Sequence, residues 1–140
     1  MMLFTFTIPG PPVGKGRPRL GRGGHVYTPP RTVAYENVVR LTALAARGAR
    51  QPIRDGPVGV WVTCTAPMPQ RASSKLRLAC GDKAYVGKPD LDNVAKIILD
   101  ALSHDVLYHD DSQVSFLELS RRRGAVAGVI VEVHALEGES

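Results

Sequence analysis

Asp90, Asp92, Asp110 and Asp111 fall within one stretch, KPDLDNVAKIILDALSHDVLYHDD, two of them before a helical pattern and two after it. Carboxylates brought together repel one another, and they stay ionised together only when a cation lies between them. The hard cation that carboxylates share with phosphate oxygens is Mg²⁺. A helix this short is a rod whose two ends can be folded onto one site by the strands around it. This segment is therefore the first place to look for chemistry.

The elements that must position these aspartates can be read from the same residues. Val94, Ile97, Ile98, Ala101 and Leu102 follow the spacing of one buried helical stripe, which predicts a helix over about 92–103. Pro89 keeps the preceding chain extended, and Asp92 or Asn93 is the expected N-cap, where an acidic side chain meets the positive end of the helix dipole. Asp92, Lys96 and Asp100 share a ridge away from that stripe. Each residue also has a plain structural reading. Asp92 can be only a cap, Lys96 and Asp100 only a surface pair, and Asp110-Asp111 only a turn before the next strand. Acidic charge at both ends of one element is not something a fold requires.

At these residues the chain resembles the RusA family of Holliday-junction resolvases. The similarity to D-x-D-N-x-x-K-x-x-x-D-A-L with a downstream D-D-x-Q-V runs through Asp90, Asp92, Asn93, Lys96, Asp100, Asp110, Asp111 and Gln113. The N-terminal GKGRPRLGRGGHVYTPPRTVAYE is similar too, and the length suits a whole family domain, residues 1–140. Ala66 to Val86 and the tail after Leu136 carry no matching motif. The resemblance implies a Mg²⁺-dependent endonuclease of the kind common in phages and prophages. Its substrate would be a four-way DNA junction, and its products would end in 5′-phosphate and 3′-hydroxyl. Asp90, Asp92 and Asp111 are then the expected principal metal ligands, with Asp110 as an accessory carboxylate. Lys96 is expected to neutralise charge on the scissile phosphate. Spacing and composition alone reach only an acidic metal site beside a basic surface.

That basic surface is unevenly placed. The formal net charge is +5, and no acidic residue precedes Glu36. Lys15, Arg17, Arg19, Arg22 and Arg31 are interleaved with glycines, which let a backbone approach a polyanion while arginines fork onto phosphate oxygens. A flexible loop contacting a DNA backbone is one reading, and a solvated connector is the other. Lys15, Arg17, Arg19 and Arg22, together with Lys88 beside Asp90, are the expected DNA contacts. Arg121, Arg122 and Arg123 form a second cluster at an expected hairpin turn with Gly124, either a DNA contact or an ordinary exposed turn.

A chain of 140 residues, 44% of them hydrophobic, can bury the core of one domain. No apolar run is long enough to span a membrane. The alternating start, MMLFTFTIPGPP, reads as an edge strand and turn without the basic n-region of a signal peptide. The expectation is a cytoplasmic protein in which Cys64 and Cys80 stay reduced. Expected elements are a strand at Leu3–Ile8 and a Gly/Pro/Arg loop over 10–24. A short strand at His25–Thr28 precedes a helix at Thr32–Arg47 with Val33, Val39, Leu41, Leu44 and Ala45 as apolar positions. A strand at Val58–Thr65 follows, then a long connection from Pro67 to Gly87 with a helical turn near Ser74–Leu78. After the aspartate helix, Val114–Arg121 and Val126–Leu136 make a terminal hairpin. The order β-α-β-α-β-β predicts a single α+β domain, a mixed sheet with helices packed on one face.

Weaker patterns do not compete. His104 and His109 flank Asp105, but their spacing is not an established ligand pattern. The glycines do not spell a phosphate-binding P-loop, and no Ser/His/Asp or Cys/His set supports covalent catalysis. Two classes remain: a metal-dependent, structure-selective nuclease, and a non-catalytic DNA-binding module whose aspartates are helix caps and surface charge. Two nicks on opposing strands of a roughly two-fold junction, with one carboxylate site per chain, imply a homodimer.

Overall fold

The structure, a computed structural model, describes residues 3–67 and 86–138. Strand β1 (Leu3–Pro9) turns Phe4, Phe6 and Ile8 inward and Thr5 and Thr7 outward, the period-two pattern of a half-buried strand. A glycine- and proline-rich arm follows, carrying the small antiparallel ribbon of β2 (Arg19–Leu20) and β3 (Val26–Tyr27). Helix α1 (Pro30–Arg47) starts with proline at its first position and stops at Gly48, whose φ of 60° ends the helix while its N–H bonds to Leu44 O. Next come β4 (Val58–Pro67), helix α2 (Leu91–Leu102), β5 (Val114–Gly124) and β6 (Gly128–Ala135).

The four long strands form one mixed sheet in the order β1-β6-β4-β5, in which only β4 and β5 run parallel. A parallel pair needs a crossover, and α2 belongs to that connection. Both helices pack on one face, giving the expected α+β domain. Val60, Val62 and Cys64 of β4 and Val129, Val131 and Val133 of β6 meet Tyr35 and Val39 of α1 and Val94, Ile97, Ile98 and Leu102 of α2. Burial pushes the Cys64 thiol up to about 11, so it stays protonated and inert at neutral pH. No helix among the described residues covers the other face, where Trp61 stacks near Phe116 and His134, at 4.9 and 4.7 Å between ring centroids.

Two expectations are corrected. Val114–Arg121 and Val126–Leu136 do not form a hairpin, because β5 and β6 lie on opposite sides of β4. In its central position β6 buries three valines under the helices, whereas β5 is left as the sheet edge among the described residues. The apolar stripe of α1 also differs. Tyr35, Val39 and Ala43 face the core, while Val33 and Leu41 are 43% and 67% exposed. The buried stripe of this helix includes the small Ala43 and the hydroxyl of Thr32, which hydropathy alone ranks below Leu41. The expected helical turn near Ser74–Leu78 lies outside the described residues, as does Cys80.

Candidate active site

The N-terminal arm is fastened to both helices. The Lys15 N–H donates to Asn93 O at 3.0 Å, and the Gly16 N–H donates to Thr32 Oγ1 at 2.9 Å. Glycine is required on both sides of Lys15. A Cβ at Gly14 would lie 2.8 Å from Pro89 Cβ, and one at Gly16 would lie 2.8 Å from Pro29 Cγ. The Lys15 ammonium joins the helices, pairing with Asp100 of α2 and, at 3.2 Å, with Glu36 of α1. Burial pulls its pKa down, but the two carboxylates outweigh that and hold it above the ordinary lysine value. Lys15 is thus engaged by protein carboxylates, and the arm is pinned at residues 14–16 where a flexible loop was expected.

The segment leading into α2 is held from β5. Arg121 donates through Nη1 to Gly87 O at 2.6 Å and Pro89 O at 2.8 Å. Arg123 donates to Pro67 O at 2.9 Å. These two arginines, on the helix-bearing side of the sheet, tie down the chain on either side of the undescribed connection. They lie within β5 and not at a hairpin turn.

Asp90 and Asp92 stand at the N-terminus of α2. The N-cap is Asp90, in place of the expected Asp92 or Asn93, and it caps through its backbone carbonyl, which accepts from the Asn93 and Val94 N–H groups. Its side chain makes no capping bond and instead accepts from Lys88 Nζ at 2.9 Å. That ammonium, with Arg121 behind it, holds the Asp90 carboxyl below the usual carboxylate range. Asp92 is exposed in the first turn. Arg17 and Lys96 line the same cleft of about 400 Å³ as Asp90 and Asp92. Lys96 does not form the surface pair with Asp100 that its plain structural reading allowed, because Asp100 is taken by Lys15. Arg19 borders a neighbouring cavity, and Arg22 sits exposed in the tight turn between β2 and β3, outside both spaces.

Asp110 and Asp111 belong to the opposite end of α2. After Leu102 the chain turns back through His104 and Asp105, both at positive φ, and Tyr108 OH donates to Leu99 O at 2.7 Å. Asp110 then caps the short 3-10 turn Asp111–Gln113. Its carboxylate accepts from the N–H of Ser112 at 3.0 Å and from the Ser112 hydroxyl, and these bonds hold its pKa down. Gln113 completes the cap by accepting from the Asp110 N–H at 2.9 Å. His109 Nδ1 meets Asp105 Oδ1 at 2.9 Å. The 12-residue helix between Asp90 and this turn is roughly 18 Å long, and Asp111 does not join Asp90 and Asp92 in one cluster within the chain. Accordingly, no group of three or more potential ligand side chains clusters among the described residues.

The donor set at the helix N-terminus still suits a hard cation. Mg²⁺ keeps several waters and takes one or two carboxylates alongside a substrate phosphate. Asp90 and Asp92 provide those two, free of any capping duty, beside cations suited to a phosphate. The sequence did not point to Glu36, and it marked Asn93, Arg31, Arg121 and Arg123 for other roles: motif residue or N-cap, arm charge, and DNA contact or exposed turn. The anchoring role of Arg121 and Arg123 depends on backbone carbonyls that no sequence pattern marks.

A cleft that sets paired carboxylates among cations at a helix N-terminus has the chemistry to hold a metal ion beside a phosphate. The family model described as Endodeoxyribonuclease RusA matches residues 9–134, and the chain belongs to that family. It is also 38% identical over 128 residues to the uncharacterized protein YqaN of Bacillus subtilis (strain 168), covering 86% of this chain and 88% of the relative. No helix among the described residues is long and apolar enough to cross a membrane.

Proposed function

We propose that this protein is a Mg²⁺-dependent endodeoxyribonuclease that resolves four-way DNA junctions by paired nicks, acting in the cytoplasm in recombination and repair. The observation that carries this reading is the pair Asp90 and Asp92. Neither side chain is used to cap α2, and both face a cleft shared with Arg17 and Lys96. As mere caps they would be spent on backbone N–H groups, as Asp110 is. That contrast disfavours the reading of a non-catalytic module whose aspartates only cap and solubilise. Bound by these carboxylates, Mg²⁺ would neutralise the attacked phosphate and favour formation of the hydroxide nucleophile. Lys96 and Arg17 then meet the charge that builds on the phosphate oxygens, and the α2 dipole adds to that field. Lys88, 85% exposed, would be the partner that yields the Asp90 carboxylate to a bound metal ion.

Asp111 enters this site from a second copy of the chain. β5 is a long edge strand whose Phe116 and Leu117 are 46% and 37% exposed, a surface suited to antiparallel pairing with its own copy. A two-fold axis near Leu117 sets the partner's Asp111 near Arg123, at the strand end where Arg121 holds Pro89 next to Asp90. Each site then draws Asp90 and Asp92 from one protomer and Asp111 from the other, and a junction meets two such sites. Incubating a labelled four-way junction with and without Mg²⁺ tests the function. Paired nicks only with the metal are expected, and intact junction under saturating protein and Mg²⁺ would refute it.

A further inference from the structure

A second cavity adjoins the carboxylates. It lies between the arm and the N-termini of α1 and α2, has a volume of about 500 Å³, and includes Asp90 in its wall. Its apolar walls come from the prolines of three separate segments, Pro12, Pro29 and Pro89, the first two of them buried. Its cations are Lys15, Arg19, Arg31 and Lys88. Among the described residues the side chains of Arg19 and Arg31 make no hydrogen bond or ion pair, although protein carboxylates engage Lys15 and Lys88. The cavity is built and not incidental. Gly14 and Gly16 bring the arm into contact with Pro89 and Pro29, and the Lys15 ion pairs lock it there.

This combination selects its ligand. Space of this size lies within the roughly 300–1,000 Å³ of clefts that enclose a small organic molecule. Flat C–H faces of proline rings shed water against an apolar planar group, and two unengaged guanidiniums fork onto an anion. A planar base joined to a phosphate has both parts. A duplex cannot enter, because its bases are stacked and paired, whereas a nucleotide at a branch point gives up less stacking to leave the helix.

We infer that this cavity receives one unstacked nucleotide of the strand cut at Asp90 and Asp92. Its base lies against Pro12, Pro29 and Pro89, and its phosphate is held by Arg19 and Arg31. This rests on the nuclease reading and adds to it a determinant of base preference beside the cut, since only a base leaving the stack at that position is read.

The test uses four-way junctions carrying 2-aminopurine, one position at a time, on each side of the branch point. The full-length protein is added without divalent metal, so that binding is read apart from cleavage. The inference expects a several-fold rise in emission at one position next to the nick site. Arg31→Ala and Arg19→Ala should remove that rise at protein concentrations that saturate the junction, and both side chains are exposed, so neither change disturbs the core. With Mg²⁺, rates across junctions bearing each of the four bases at that position should converge in Arg31→Ala. Binding with no rise at any position overturns the inference. So does a rise that survives both substitutions. Normal Mg²⁺-dependent nicking alongside either result leaves the nuclease reading standing. A rise without any nicking supports the cavity and removes the nuclease reading.

Discussion

Asp90 and Asp111 flank α2 from opposite ends, Asp90 as its N-cap and Asp111 at the start of the 3-10 turn that follows the loop at its C-terminus. If both serve one metal site, they serve it from different protomers. Asp90→Asn and Asp111→Asn should each abolish nicking alone while junction binding holds or tightens, because a negative charge facing phosphates is removed. Mixing the two inactive variants rebuilds one whole site in every mixed dimer. Nicking should return to about a quarter of the wild-type level at equal mixing, since half of the dimers are mixed and each carries one intact site. A mixture as inactive as its components would place all the ligands in one chain.

The seam is testable separately. Phe116→Glu with Leu117→Glu puts charge on the exposed middle of β5 without touching the valine core. Light scattering at micromolar concentration should give about twice the 15.1 kDa chain mass for wild type and the chain mass for the variant. Nicking should fall with the dimer. A variant that remains dimeric would move the interface off β5.

Asp110 and Asp111 are neighbours with opposite duties. Asp110→Ala removes the cap of the 3-10 turn and should lower the melting temperature, yet keep nicking within a few-fold of wild type. Asp111→Asn should do the reverse. The Asp110 pKa is depressed in the fold by its bonds to Ser112. Its contribution is therefore complete above the ordinary carboxylate range and is lost as pH falls through the lower folded value. Melting curves from pH 7 down to pH 3 should show a smaller acid loss in Asp110→Ala. Equal acid sensitivity in the two proteins would deny the cap this role.

Lys15 has the opposite sign. Its folded pKa is raised above 10.5, so its stabilisation is present below that value and is lost as pH climbs through the folded one. Lys15→Met should cost roughly 1 kcal/mol at neutral pH, given the partial solvent screening of the pairs. Denaturant melts should show the wild-type advantage shrink as the pH climbs past the ordinary lysine value of about 10.4 and through the folded one. An advantage that does not fall anywhere in the alkaline range would show that the ammonium charge is not what joins the helices.

Arg17 and Arg19 lie beside the carboxylate cleft and its neighbour and, among the described residues, meet no protein carboxylate. Replacing both with alanine should weaken junction binding across sequences. The log–log salt slope should flatten by roughly one unit for each phosphate left without its arginine. Unchanged affinity and slope would make this part of the arm a connector only.

Much of this was legible in the residues themselves. The period of Val94, Ile97, Ile98 and Leu102 determined α2, alternation determined β1, and the acidic pairs marked where to look for chemistry. These are local signals, set by the spacing of side chains along one element. Tertiary structure alone decided which partners they meet. Whether β5 pairs with β6 or with β4 depends on burying the valines of β6 beneath two helices, and no stretch of sequence states that. Lys15, one cation among several in the arm, became a strut because Glu36 and Asp100 converge on it from two helices. Arg121 and Arg123 became anchors because loop carbonyls come to lie within their reach. And the carboxylates, close in sequence, were parted because a helix is rigid: α2 holds Asp90 at one end and leads to Asp111 beyond the other.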